Sequence, residues 1–343
     1  MNKSIYNNYF ENISNSLKNG KKRGALNKSA LGETMSAFSA NENELKWYDE
    51  KNNEINFNSL QQLNSIAGKK AKYHEKLGAH PKFSYLKEAN KVEYHYITSM
   101  FIDIKNSTKL FQKYYPHTVA NITTTIQSAA IHTCWYFDGY VQRLHGDGLL
   151  IYFGDRDMDI KTSTNNALNA AAFFSYFVKN DLKKLFDEQG VGNIYTRIGI
   201  DTGYKDDVMW HLAGMGDCSE ITTCSLHTSL AAKMQSQAKS NGIIIGDNVV
   251  GNTVVGEDYF THKKYVEDDT TSDYIYQISE DKFYYKQHEF NWEKYLNNHP
   301  QIEKDGNGNL FFKPENSTSK INVIKNLDYL KSNVQGYKPS FNK

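Results

Sequence analysis

The chain has 343 residues, with 40 Lys and Arg against 39 Asp and Glu, for a formal net charge of +1. That length leaves room for one central domain with terminal additions, and the balanced charge gives no field of the kind that draws a protein to DNA, RNA or an anionic membrane. Any phosphate binding therefore has to be local, and the three unpaired-looking cysteines, Cys134, Cys218 and Cys224, lack zinc or disulfide spacing and point to a reducing, cytoplasmic setting.

The opening MNKSIYNNYFENIS has no apolar stretch behind its first lysine and does not read as a secretory signal. Residues 1–91 are polar, with helical patches such as NSLQQLNSIAGKKAKYHEKL, and read as a partly helical N-terminal extension. VEYHYITSMFIDI, residues 92–104, is rich in β-branched and aromatic residues and predicts a strand buried toward its end. A helical stretch follows from Asn106 to about Phe137, with Pro116 expected to break or kink it. YVQRL and LLIYF predict two short strands joined by HGDG, a tight hairpin with Asp147 at its tip.

Residues 164–189 carry apolar positions at helical spacing, and their longest apolar run, AAAFFSYFV, falls well short of the roughly 20 residues a membrane span needs. No membrane partner is expected. Strands are predicted over 194–203 and 208–214, a helix over 226–240, the buried strand GIIIG over 242–246, and a last strand YIYQI over 274–278. Residues 92–280 thus predict one α+β domain, a mixed, mostly antiparallel sheet flanked by helices, and 281–343 a C-terminal extension.

Asp103 ends an apolar strand, where a carboxylate is costly unless it is paired, hydrogen-bonded or metal-bound. A strand-end Asp103 and a hairpin-tip Asp147 can meet at one sheet edge as hard oxygen ligands for two Mg²⁺ or Mn²⁺ ions, with the Ile104 carbonyl as an additional ligand. Backbone N–H groups of Asn106, Ser107 and Thr108, at a helix start, suit phosphates. His132, His145, His211 and His227 form no metal-ligand spacing.

In order, FIDIKNST, QRLHGDGLLIYF, RIGIDTG and SLHTSLAAKMQSQAKSNGIIIG resemble the motifs of the class III adenylate and guanylate cyclase catalytic domain, over roughly residues 93–278. The resemblance implies the class III cyclase fold, cyclisation of a nucleoside triphosphate with release of pyrophosphate, and a homodimer whose sites are shared between subunits. It makes Asp103 and Asp147 the metal ligands. Where the family has Asn and, four residues on, Arg, this chain has Ser229 and Lys233; the spacing keeps both on one helix face, and Lys233 keeps the positive charge without the planar fork. A lysine in the late region of the family also draws attention to Lys263 and Lys264.

The family's two base-reading positions fall at Arg143 and Thr222. Arg143 offers only donors, matching the acceptor edge of uracil or O2 and N3 of cytosine, while Thr222 can donate or accept. UTP is expected first, CTP second and ATP as the main alternative. Among cyclases the chain resembles the bacterial pyrimidine cyclases of the Pycsar antiphage systems, which implies a separate effector activated by the cyclic nucleotide. Two other functions stay open at this point: a non-catalytic nucleotide sensor, and a two-metal polymerase or nucleotidyltransferase, for which no basic template channel is evident.

Overall fold

β2, Ile97–Lys105, lies inside the main sheet, and its alternation decides what the rest of the chain must cover. Met100, Ile102 and Ile104 point into one core, so Ser99 and Asp103 face the other side. In the computed structural model the described residues are 6–19, 74, 76–89, 91–191, 194–267, 270–278, 283–299, 302–304, 306 and 310–312. Most of the helical patch expected over residues 58–77 lies outside them.

The main sheet has eight strands in the order β12 (Ile275–Ile278), β13 (Phe283–Phe290), β8 (Gly242–Gly246), β5 (Tyr195–Gly203), β2, β4 (Gly148–Phe153) and β3 (Gly139–His145), with β9 (Phe260–His262) paired to β13. The β5–β8 pair is parallel and the other pairs in this sheet are antiparallel, as the mixed, mostly antiparallel α+β expectation requires. Beside it stands a three-stranded sheet of β1 (Glu93–Tyr94), β6 (Met209–Met215) and β7 (Cys218–Cys224). Two small hairpins complete the strands: β10 (Lys264–Glu267) with β11 (Thr270–Asp273), and β14 (Ile302–Lys304) with β15 (Leu310–Phe312).

One face of the main sheet is covered by α3 (Pro116–Tyr136) and α4 (Ile160–Tyr176), whose Ile122, Ile126, Ala171 and Phe174 join Met100, Ile102 and Ile104 in the large core. Each such buried side chain the size of Ile or Phe contributes about 1.5–3 kcal/mol over exposure. Pro116 breaks the helix expected from residue 106: it takes the first helical position of α3, where its missing N–H costs nothing, and a short 3₁₀ turn, Ser107–Gln112, stands before it. α4 is capped by Asp159, whose carboxylate accepts from Thr162 N at 2.9 Å, and passes through a π turn, Phe177–Leu182, into α5 (Lys183–Glu188).

The opposite face carries α6 (Leu226–Gln237) and the β6–β7 hairpin, and a second core of Ile97, Tyr152, Val208, Trp210 and Ile221 closes under the short α2 (Leu86–Ala89) and Phe83. The main core extends beyond the 92–280 boundaries read from the sequence. α1 (Asn7–Asn19) lies on α3, with the Tyr6 ring stacked on Phe177 and the Tyr9 hydroxyl bonded to His132. At the other end β13 is a strand of the main sheet, and α8 (Trp292–Asn297) buries Trp292 and Leu296 in the same core. Among the described residues, no helix is long and apolar enough to cross a membrane.

Candidate active site

The β3–β4 turn is built to bring Asp147 against the end of β2. His145 pairs with Gly148, leaving Gly146 and Asp147 as a two-residue loop, and Gly146 has φ +60, the conformation a type II′ hairpin needs at its first loop position. A Cβ at Gly148 would stand 2.7 Å from the Ile102 carbonyl oxygen and 3.7 Å from Asp103 Cα, so only glycine lets the turn close on β2 at this point. Ile102 pairs with Leu149, so Gly148 lies at the register position of Asp103, and Asp147 is the next residue round the turn. Asp103 and Asp147 are neighbours at one sheet edge.

Ser107, in the 3₁₀ turn after β2, donates its hydroxyl to the Asp147 carboxylate. Asn106 before it takes the left-handed conformation, φ 70, which turns the chain off the strand. Ser107 and Thr108 thus open a 3₁₀ turn separate from α3, with Asn106 just before it, and Ser107 is the one bonded to Asp147. Arg197, directly across from Asp103 on β5, donates to Asp103 Oδ2 from Nε at 3.0 Å and from Nη2 at 2.5 Å, and from Nη1 to the Ser236 carbonyl oxygen in α6 at 3.1 Å. Nothing local in RIGIDTG marks Arg197; the antiparallel register with Asp103 is what reveals it.

α6 supplies the second group. Ser225 caps it by accepting from His227 N at 3.2 Å, and Leu230, Ala231 and Met234 are buried. Ser229 and Lys233 lie one turn apart on its exposed side: Ser229 Oγ donates to Ser225 O at 3.2 Å, and Lys233 Nζ stands 4.9 Å from the centre of the Tyr276 ring. Among the described residues, no hydrogen bond or ion pair joins either to Asp103 or Asp147 within the chain. An open depression of about 520 Å³ lies at the start of α6, lined in part by His211, Thr223, Thr228 and Ser229.

Arg143 and Thr222 come together through β7. A bulge between Val141 and Arg143 in β3 turns Arg143 outward, where its guanidinium pairs with Glu220, Nε to Oε2 at 3.0 Å. Gln142 Nε2 donates to the Ile221 carbonyl at 2.9 Å and ties β3 to β7. Glu220 and Thr222 share one face of β7 by the two-residue period, and Thr222 Oγ1 lies 3.2 Å from the Tyr152 hydroxyl. Glu220 and Tyr152 are the residues the sequence did not single out here; the period-two relation of Glu220 to Thr222 was the available signal, but the strand itself went unread. Of the late lysines, Lys264 pairs with Asp273, while Lys263 is buried against Gln237 and lies 3.8 Å from the Tyr274 ring centre, and burial lowers its pKa.

The donor set at the sheet edge is two carboxylates with the Ile104 carbonyl close behind, and among the described residues no group of three or more His, Cys, Asp or Glu side chains converges as an all-protein metal cage. That combination fits Mg²⁺ or Mn²⁺, which take one or two carboxylates and complete their shell with water and substrate phosphate. No family model matches the chain. A curated cytidylate cyclase from Staphylococcus aureus is 34% identical over 274 residues, spanning 78% of this chain and 64% of that protein. Another, from Escherichia coli, is 33% identical over 255 residues, spanning 70% of this chain and 53% of that protein.

The chain is similar to cytidylate cyclases.

The cyclase resemblance read from the four motifs is borne out by these relatives, although the chain spans only about half to two thirds of their length. Among solved structures, the adenylyl cyclase CyaB from P. aeruginosa superposes with a TM-score of 0.48 at 15% identity, covering 58% of this chain and 95% of that chain.

Proposed function

We propose that this protein is a class III cytidylate cyclase that converts CTP to 3′,5′-cyclic CMP and pyrophosphate. The observation that carries the reading is the meeting of Asp103 and Asp147 at one sheet edge, in a chain about one third identical to cytidylate cyclases. In the reaction the ribose 3′-oxygen forms a bond to the α-phosphorus, the bond from that phosphorus to the bridging oxygen breaks, pyrophosphate leaves and the 3′-hydroxyl proton is released. Asp103, Asp147 and the Ile104 carbonyl would hold two Mg²⁺ or Mn²⁺ ions, which supply charge neutralisation for the triphosphate and acidity for the hydroxyl.

The protein groups divide the remaining work. Arg197 holds Asp103 in place and brings a fixed positive charge to the edge that the triphosphate approaches. Ser107 orients Asp147, and the N–H groups of Asn106, Ser107 and Thr108 face the phosphates. Lys233 offers its charge to the phosphorus as negative charge builds there, and Ser229 reaches toward the ribose. Among the described residues Ser229 and Lys233 make no bond to Asp103 or Asp147, and on the exposed side of α6 they are open to a second copy, in a symmetric homodimer with two shared sites.

The Arg143–Glu220 pair supports cytosine over uracil, the base that sequence alone puts first. Cytosine shows O2 and N3 as acceptors next to an N4 amine donor, so a guanidinium beside a carboxylate complements it, whereas O4 of uracil would meet the carboxylate as a second acceptor. The product would serve as a second messenger for a separate effector in antiphage defence, in the cytoplasm, as the resemblance to Pycsar cyclases implies. Asp103→Asn and Asp147→Asn test the site: each keeps shape but is a poor ligand, and each should abolish cyclic CMP formation in a protein that stays folded by circular dichroism. Near-normal turnover in either variant would remove the metal-site reading.

A further inference from the structure

α6 rests on β5 at Gly199, so the strand offers no side chain there that could stop the helix from turning or sliding. Its first turn is held instead by a buried polar cluster that the proposed chemistry does not use. Asp201, on β5 and fully buried, has Oδ2 2.9 Å from Nδ1 of His227, the second residue of α6. Asp201 Oδ1 accepts from the Tyr285 hydroxyl of β13 at 2.6 Å and from Thr202 N at 2.9 Å. Burial pushes the Asp201 carboxyl pKa up against the hydrogen bonds from His227, Tyr285 and Thr202, and with Oδ1 already accepting two donors, Oδ2 is the oxygen left to accept from Nδ1 of His227.

The cluster also engages α7 (Asp247–Asn252). Asn248 N donates to the Tyr285 oxygen at 2.9 Å, and its side-chain amide donates to Thr202 O at 2.8 Å and stands 3.4 Å from His227 Nε2. A Cβ at Gly246 would come within 2.0 Å of Asp201 Oδ1, so glycine at that position is what leaves space for the carboxylate. Burial works against a charge on His227, but the hydrogen bond to Asp201 and its charge outweigh it and hold the imidazole pKa above the usual value. The neighbouring contacts are weaker: Thr228 reaches Ser99 at 2.9 Å and Thr223 at 3.1 Å through hydroxyls that are free to rotate.

We propose that Asp201 and His227 are positioning residues: their buried pair locks the rotation and height of α6 on the sheet and thereby sets where Ser229 meets the ribose and Lys233 the reacting phosphate. Ser229 follows His227 by two residues and Lys233 by six on one rigid helix, so a turn or slip at His227 moves both. A buried polar pair is a poor way to gain stability compared with apolar packing of the same volume, and fixing an orientation is the use that fits this one. This inference rests on the cyclase reading, which the Asp103→Asn variant decides separately.

The test uses the whole chain with CTP and Mn²⁺. His227→Ala should lower kcat about 100-fold, the cost expected of a misplacement near 1 Å, while KM for CTP stays within about threefold. His227→Asn, whose side-chain amide offers a donor at the reach of Nδ1, should recover most of the loss. In a Lys233→Ala background, adding His227→Ala should cost clearly less than it does in the wild type, because one of the two groups it positions is already gone. If His227→Ala fails to fold, Asp201→Asn carries the test, with the same loss of kcat and an unchanged KM expected. Wild-type kcat in His227→Ala or Asp201→Asn, absence of rescue by Asn in a folded variant, or full additivity with Lys233→Ala would overturn the proposal.

Discussion

Replacing Gly199 by alanine would put a methyl carbon 2.1 Å from the Ala231 carbonyl oxygen and 2.3 Å from Gln235 N, both in the backbone of α6. Neither atom can swing aside as a side chain would. To reach an ordinary separation of about 3.5 Å the helix has to retreat by more than about 1 Å. Overpacking of this kind costs about 1–3 kcal/mol or more. At about 2–4 °C per kcal/mol for a domain of this size, the melting temperature should fall by roughly 2–12 °C. The retreat also carries Ser229 and Lys233 off position, for an expected loss of about 100-fold in kcat/KM. Thermal melts and cyclic CMP formation should be read on the same preparations, with Gly251→Ala as control: Gly251 lies in α7 with nothing within 4 Å of its added Cβ, and its variant should melt and turn over like wild type. A Gly199→Ala protein that melts and turns over normally would refute the claim that α6 is seated on this glycine.

Mixing Asp103→Asn with Lys233→Ala protein should restore about a quarter of wild-type activity, because half of the randomly paired dimers are mixed and each of those has one intact site of two; no recovery despite measured subunit exchange would count against shared sites. Stability should fall in mild acid. Burial pushes His132 down to about 3, and burial together with the neighbouring His74 pushes His80 down to about 3. Their depressed folded pKa values stabilise the fold fully above about pH 6.5, the unfolded value, and that contribution is lost as pH falls below it, by up to about 1.4 kcal/mol per pH unit for each histidine. Melts between pH 7 and 5 should show the decline, and a flat melting temperature there would contradict neutral burial of both rings.

The local patterns were legible in sequence because they depend on near neighbours. GIIIG is β8 as expected, YVQRL and LLIYF are the hairpin β3–β4, and the Gly-Asp turn sits where its glycines require. β7 was missed because Thr, Ser, Cys and Glu fill much of it, and nothing in its own composition shows that Ile221 has a core to enter. β13 went unread for a related reason: Gln287 and His288 are buried there, polar residues that read as loop until β8 and β9 lie on either side. Asp103 and Asp147 could be named from the sequence, but Arg197 and Glu220 could not, because each is defined by a partner on another strand. Asp201 and His227 were likewise hidden, 26 residues apart in sequence and joined only when α6 lies on β5.

A competition among ATP, GTP, CTP and UTP decides both the reaction and its base. Purified protein is incubated with all four triphosphates at equal concentration in Mn²⁺, and the products are identified by mass spectrometry, in parallel with Arg143→Ala. Cyclic CMP should be the main product of the wild-type protein, and the variant should show a weakened base preference. Cyclic AMP or cyclic GMP as the main product, or no cyclic nucleotide from any of the four, would contradict the cytidylate cyclase reading.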